Sequence, residues 1–567
     1  MLKKQWVFRE VDLTQRGMFA QSLSISPITA SVLLSRGVAT IEQARYWLAP
    51  QAASLHDPLQ LPDLERAIDR LHRAVTTGER ICFYGDYDVD GIAATSLYLT
   101  FFRSVGGNAV SYIPHRIHEG YGLNVQAIRR LRQEGVGLLV TSDCGSTAPR
   151  EVELANSLGL DVIITDHHQL EAGLPPALAV INPYRADSSY PFRGLCSGGL
   201  AYKVVLAYQE KYGHADVSAE SLLDLVALAT VADVVPLKDE NRFFVREGMA
   251  LISRGARCGI KALKQVAGID RDCTSGTVAF KLAPRINAAG RLAHAEAGVR
   301  LLTTESDAEA REIAEELERL NRERQRIEEA TTNEALAAVR TSAVPAGLVL
   351  GARHWHLGVV GIVAARLVER YHRPAIVIAV NEQGIGKGSA RSVPGFDLYE
   401  ALSACRDLLE GFGGHPSAAG LTIQESRIPM LQDRFAEIAG GWVGTGSPLP
   451  QIHVDAEVNL HEVDQQLVRE LGMLHPYGAG NPEPIFAVKN VAILNQRVVG
   501  ERHLKLTVRH GRSQPFDSIG FRMGSLADLG LSADRAVDLA FVPEINRWNG
   551  LDRVQLRIRD LKASQAG

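Results

Sequence analysis

Cysteine is scarce: six in 567 residues, at positions 82, 144, 196, 258, 273 and 405, with no Cys-x-x-Cys pair. That excludes a zinc ribbon and a disulfide framework and fits a reducing cytoplasm. Long apolar runs are missing as well. The N-terminus, Met-Leu-Lys-Lys-Gln-Trp, leads into no signal core. The most apolar window, Leu222 to Leu237, holds Asp224 and Asp233 and is too short to span a bilayer. Neither sign of charge dominates: 61 Lys and Arg against 65 Asp and Glu leave a formal net charge of −4, so any charge that binds nucleic acid must be local. There are no repeats and no low-complexity tract. A Walker A signature is also absent, because Lys387 is followed by Gly388, so ATP hydrolysis is not indicated. The length prior for a soluble intracellular chain of this size is about three to four domains.

What is present centres on Ile81-Cys-Phe-Tyr-Gly-Asp-Tyr-Asp-Val-Asp-Gly-Ile92. A short apolar strand, Ile81 to Tyr84, runs into Asp86, Asp88 and Asp90, then Gly91, then a helix from Ile92 to Val105. Like charges packed this closely between apolar flanks repel one another unless a cation joins them. A solvated acidic turn is the alternative.

From about 80 to 185 strands and helices alternate, which predicts a doubly wound parallel sheet with ligands at the carboxyl ends of its strands. The polar residues fall at those ends: Asp86, Asp88 and Asp90 after the first strand, Asp143 after the third, and Asp166, His167 and His168 after the fourth. Asp233 closes the apolar run from Leu222, where an unpaired carboxylate costs several kcal/mol. Asp224 reads as exposed. Pro114 to Gly122, carrying Arg116 and Tyr121, follows the second strand at the same edge. Ala283-Pro-Arg-Ile-Asn-Ala-Ala-Gly-Arg291 mixes Arg285, Asn287 and Arg291 with small residues suited to close approach of a phosphate. Ordinary ion pairs are the alternative for both arginines.

From Thr304 to about Arg340 there is no Gly or Pro, and Ser306-x-x-Glu309 forms a capping box. A sparse apolar stripe predicts one long, largely solvated helix, about 50 Å if unbroken, that connects two domains. Residues 345 to about 440 read as a second α/β unit. Its helix carries Arg366, and its glycine-rich loops 386–392 and 411–420 carry Lys387, Arg391 and His415. The tail from about 450 reads as short strands of a small β-barrel. Between Lys489 and Arg512 it holds six Lys or Arg and a single acid, Glu501, which suits either an oligonucleotide-binding barrel or a charged strand face. The expected divisions are 1–75 (helical), 76–300, 301–342 (the long helix), 343–445 and 446–567.

The set 86–91, Thr-Ser-Asp-Cys-Gly (141–145), Asp-His-His (166–168) and Asp233 resembles the DHH phosphoesterase superfamily. Gly-Gly-His-Pro-Ser-Ala-Ala-Gly (413–420) resembles its companion DHHA1 domain. With the long helix and terminal barrel, the chain is similar to the bacterial single-strand-specific 5′→3′ exonucleases of that superfamily. Val89 stands where that family often has Ala.

The resemblance implies that Asp88, Asp90, Asp143, His167 and Asp233 bind two divalent cations, Mn²⁺ or Mg²⁺ rather than Zn²⁺ for such oxygen-rich ligands. It makes Asp86 and His168 catalytic, with His168 on the scissile phosphate. Arg116, Tyr121, Arg285, Asn287, Arg291, Arg366, Arg391 and His415 become substrate contacts. It further implies single-stranded DNA as substrate, a role in DNA repair and recombination, single-strand-binding protein and a RecQ-type helicase as partners, a monomeric state and no membrane. The rivals are a small-molecule phosphoesterase of the same superfamily, against which the extra tail speaks, and a non-catalytic single-strand-binding scaffold, against which the intact acidic set speaks.

Overall fold

The computed structural model describes residues 4–170, 173–213, 216–340, 344–444, 449–500, 502–529, 536–548 and 551–564. Its first sheet is fully parallel, in the order Asn108–Tyr112, Arg80–Gly85, Val136–Ser142, Asp161–Thr165, Ala179–Ile181. The strands read as continuous apolar runs because both faces are covered. Ile81, Phe83, Leu138, Val140 and Ile163 enter one core, against the helices Val89–Ser104, Ser197–Tyr212 and Leu223–Ala232. Cys82, Tyr84, Leu139, Val162 and Ile164, alternating with them, enter a second core under Val125–Gln133 and Pro149–Ser157.

The long helix spans Asp307–Arg340. Its apolar stripe is shared out along its length. Ala310, Ile313, Ala314 and Leu317 join the core of the first sheet, whereas Ala335 and Val339 join Trp355, Val363 and Leu367 of the next unit. The helix is therefore docked at both ends rather than largely solvated. Half of the capping box forms: Ser306 Oγ accepts the Glu309 N–H, but the Glu309 carboxylate turns to Thr304 Oγ1 (2.6 Å) and Arg300 (2.9 Å).

The second sheet is mixed, in the order Leu409–His415, Ala418–Gln424, Ile385–Arg391, Ala375–Val380, Leu348–Ala352. Only its last two strands pair in parallel. The glycine-rich stretches expected as loops are its first three strands. Gly386 shows why glycine serves there: a Cβ would meet Ile378 Cγ2 at 2.7 Å. The C-terminal strands Phe486–Val499, His503–Arg509, Phe516–Gly520, Leu551–Ala563 and Val537–Trp548 pair in that order, and the last pairs back to the first, closing a five-stranded barrel.

The expected 1–75 unit is split between two bodies. Leu64–Thr77 packs on the first sheet through Leu64, Ile68 and Leu71. Residues 5–48 instead complete the barrel domain. Gln5–Phe8 pairs in parallel with Gln451–Val454, and Phe19, Ile28, Leu33 and Trp47 share a core with Leu467, Phe486 and Phe541. Arg242, on the helix Glu240–Arg254, ties the barrel body to the first sheet. It is fully buried over the Trp47 ring at 4.6 Å, and its Nη2 donates to the carbonyls of Trp47 (2.6 Å), Leu474 (3.2 Å) and His475 (3.1 Å). These carbonyls lie at the ends of the helices Ile41–Leu48 and Gln465–Met473, where the helix dipole favours a cation. Among the described residues no single helix is long and apolar enough to cross a membrane.

Candidate active site

Every acid of the site hangs from a strand or helix end at one edge of the first sheet. Asp86 follows the strand Arg80–Gly85. Asp88 caps the helix Val89–Ser104, accepting the N–H groups of Asp90 (2.9 Å) and Gly91 (3.3 Å). Gly91 is required by crowding, since a Cβ there would lie 2.5 Å from Asp86 N and 2.7 Å from Asp86 O. Asp90 is buried and accepts the N–H groups of Ser197 and Gly198, each at 2.8 Å, at the start of the helix Ser197–Tyr212. Asp143 sits at φ 67°, a left-handed conformation that is uncommon outside glycine and gathers at functional sites. Asp233 caps the carboxyl end of Leu223–Ala232 rather than lying within it, and Val234 after it is also left-handed at φ 63°.

These side chains converge on His167. Its Nε2 lies 3.1 Å from Asp143 Oδ1, 3.5 Å from Asp233 Oδ2 and 3.6 Å from Asp90 Oδ2. Candidate ligand atoms gather in two neighbouring groups, Asp90–His167–Asp233 and Asp86–Asp88–Asp143, with Asp143 also in reach of both histidines. Burial, then repulsion from neighbouring carboxylates, pushes Asp86, Asp88, Asp143 and Asp233 above the usual carboxylate range. Asp86 Oδ1 and Asp233 Oδ2 are buried without a hydrogen-bond donor. Burial also lowers the His167 pKa, leaving a neutral imidazole suited to ligation. Buried acids that repel one another, orphaned oxygens and a neutral histidine fit two divalent cations.

His168 differs from its neighbour. Burial opposes its charge, but Asp166, whose Oδ1 lies 2.7 Å from His168 Nδ1, outweighs that and pushes its pKa up to about 9. Asp166 also accepts the N–H groups of His168 and Ser146, and its own pKa is held low. Buried Asn182 completes the support, donating to Ser146 Oγ (3.1 Å) and the His168 carbonyl (2.9 Å). Tyr121 reaches the same place, its hydroxyl 2.8 Å from the Asp143 carbonyl and 3.2 Å from His168 Nδ1. Sequence reasoning gave Asp166 and Asn182 no role. Asp166 was open to view as the acid of Asp-His-His, whereas nothing local marks Asn182.

The expected phosphate contacts divide. Arg116 lies over the Tyr87 ring at 4.7 Å, beside the Asp86–Asp88 turn. Asn287 Oδ1 accepts the Val89 N–H at 3.2 Å, and Arg291 Nη1 donates to the Gly358 carbonyl at 2.8 Å, which brings the two domains together. Burial and the nearby cations Arg116, Arg324 and Arg391 push Arg291 down to about 10. Arg391 is held by Ser389 Oγ (2.9 Å). It lines up with Ala418 and His415 across three paired strands, which sets the two basic side chains on one face. Arg116, Arg291 and Arg391 have no carboxylate partner among the described residues. Arg285 and Arg366 are placed otherwise: Arg285 Nε is 2.7 Å from Glu318 of the long helix, and Arg366 pairs with Glu328 of the same helix. Asp224, expected exposed, is buried and paired with Arg257 at 2.8 Å. In the barrel, Lys489 pairs with Glu457 (2.7 Å) and Lys505 lies 3.8 Å from Asp517, and Glu501 lies outside the described residues.

Residues 80–230 match the DHH family N-terminal domain, 345–441 the DHHA1 domain and 454–560 the RecJ OB domain. The chain is 38% identical over 99% of its length to the single-stranded-DNA-specific exonuclease RecJ of Bacillus subtilis, covering 71% of that protein. It is 36% identical to the Escherichia coli RecJ over 95% of this chain and 96% of that one. The crystal structure of Thermus thermophilus RecJ in complex with Mn²⁺ superposes with a TM-score of 0.86 at 31% identity, over 99% of this chain and 80% of that one. With all three domains matched and near-full-length identity to several of its members, the chain belongs to the RecJ family.

Proposed function

We propose that this protein hydrolyses single-stranded DNA from its 5′ end, releasing mononucleotides in DNA repair and recombination. The observation that carries this reading is the pair of acidic groups joined through Asp143, with Arg116 and Arg291 of the same domain and Arg391 of the second gathered beside them. Two cations held by Asp86, Asp88, Asp90, Asp143, His167 and Asp233 supply Lewis acidity and an activated water. The relatives crystallised with Mn²⁺ and Mg²⁺ support that choice of metals.

The protein's own groups do the rest. His168, charged through Asp166, donates a hydrogen bond to a non-bridging oxygen of the scissile phosphate and stabilises charge that builds there. Arg116 and Arg291 hold phosphates from the acids' own domain and Arg391 and His415 from the second domain, and Tyr121 and Asn287 fix the walls next to the acids. Arg285 and Arg366 act through the frame, fastening the long helix to its two domains. The barrel, with Lys489, Arg497 and Lys505 on its strands, tracks the strand beyond the cleft. Cytoplasmic location, a monomeric state and contacts with single-strand-binding protein and a RecQ-type helicase belong to the same proposal, supported by the family resemblance.

An oligonucleotide labelled at either end, single-stranded or blunt duplex, with Mn²⁺, Mg²⁺ or chelator, tests the reading. Metal-dependent loss of mononucleotides from the 5′ end of the single strand is the expected result. Binding without cleavage would instead favour a scaffold, and cleavage of dinucleotides alone a small-molecule phosphoesterase.

A further inference from the structure

Beside Arg116 and Arg291, two segments bring three imidazoles together. The His115 and His118 rings lie 4.3 Å apart, and the His294 ring lies edge-on to His115 at 5.7 Å. His118 and His294 are exposed and His115 is half-buried. The loop of His115 and His118 includes Arg116, which covers Tyr87, while His294 follows the helix Ala283–Leu292 that carries Arg291.

The charged neighbours favour an anion. Glu119 is committed to the Tyr112 hydroxyl (2.5 Å), the His115 N–H (2.7 Å) and Asn124 (3.2 Å). Glu296 accepts the Ser111 hydroxyl (2.8 Å). None of the three imidazoles has a carboxylate within ion-pair distance among the described residues, while Arg116 shares the loop of His115 and His118 and Arg291 lies on the helix before His294.

Tautomers point the same way. His115 Nδ1 accepts the Ile117 N–H and His294 Nδ1 accepts the Glu296 N–H, both at 3.2 Å. A neutral imidazole that accepts at Nδ1 carries its proton at Nε2 and so presents a donor outward. A metal ion needs a lone pair there, whereas a phosphate oxygen needs the donor.

We propose that His115, His118 and His294 form a phosphate-contacting rim that extends the basic surface of Arg116 and Arg291 outward along a nucleic-acid strand. The proposal rests on the nuclease reading for its substrate. The full-length protein with Mn²⁺ is compared with His115→Asn/His118→Asn/His294→Asn and with His118→Asn alone, the single change being the one most easily tolerated by the fold. Initial rates on a labelled single strand are taken over a range of strand concentrations, and thermal melts check folding. In the triple variant KM is expected to rise roughly three- to tenfold, as hydrogen bonds to phosphate are lost, with kcat little changed. His118→Asn shows the same trend in smaller measure. An equal KM would overturn the rim. An inactive wild-type enzyme would instead overturn the nuclease reading, and fluorescence anisotropy on the same strand and variants then decides the rim on binding alone.

Discussion

His168 Nδ1 lies 2.7 Å from Asp166 Oδ1, while the adjacent His167 directs its Nε2 at three other carboxylates. Two neighbouring histidines are thus held in opposite charge states, one neutral and the other charged. The division is set by which acid each ring meets. Replacing Asp166 with Asn keeps the shape and removes the charge. Asp166→Asn is expected to lower kcat about 10- to 100-fold while Mn²⁺ affinity changes little. Single-turnover cleavage and calorimetric Mn²⁺ titration measure the two quantities, and a variant with full kcat would remove His168 from the chemistry.

Metal removal has a defined pH signature. Burial and neighbouring carboxylates raise Asp86, Asp88, Asp143 and Asp233 above the usual carboxylate range. A group raised on folding adds stability while it is protonated, and that contribution declines as pH rises through its folded pKa. Cations displace those protons, so they stabilise more at higher pH. The increase in Tm on adding Mn²⁺ to chelator-treated protein is expected to be larger at pH 8 than at pH 6. An equal or inverted difference in scanning calorimetry would contradict the acidic cluster as the metal site.

Two arginines separate frame from substrate contact. Arg285 and Glu318 are both largely shielded, so Arg285→Ala is expected to cost about 1–3 kcal/mol of stability with KM little changed. Arg391 meets no acid, so Arg391→Ala is expected to raise KM for a 5′-phosphorylated strand by about tenfold or more and to leave stability nearly intact. Denaturant melts and steady-state kinetics on both variants check the pair, and exchange of the two phenotypes would reverse the assignment.

Deleting residues 1–48 is expected to unfold the barrel domain, not merely to trim it. Phe19, Ile25, Ile28, Val32, Leu33 and Trp47 are buried there, and large apolar side chains contribute about 1.5–3 kcal/mol each. Their sum rivals the whole stability of a typical domain, about 5–15 kcal/mol. A fragment from residue 449 onward should be insoluble alone and recovered when 1–48 is co-expressed, as read by solubility and circular dichroism. A soluble, folded fragment on its own would refute this. Truncation before about residue 450 weakens binding to long strands more than cleavage of short ones, provided 1–48 is removed with it.

The sequence made the first sheet and its acids legible because apolar runs of strand length each ended in Asp or His. Periodicity and strand-end polarity are local properties. The pairings that stayed hidden were those whose partners lie far along the chain. Arg285 finds Glu318, Arg366 finds Glu328 and Asp224 finds Arg257, pairings that no window around any one of them shows. The strand Ile385–Arg391 looked like a loop because close packing against Ile378 and Leu421, not a turn, calls for Gly386 and Gly388 there. The first 48 residues looked like a unit with Leu64–Thr77 because adjacency in sequence suggested it.

The pairing of Gln5–Phe8 with Gln451–Val454 also sets an order of events in synthesis. Gln5–Phe8 leaves the ribosome long before Gln451–Val454 and has no partner until the barrel domain begins to emerge. At about 5–20 residues per second that delay is roughly 20–90 s. During it an unpaired strand edge and the apolar helices behind it stand open, while the two central domains between them have time to fold. The part of the chain made first is thus among the last to be completed, and it is the stretch for which a chaperone has the longest opportunity.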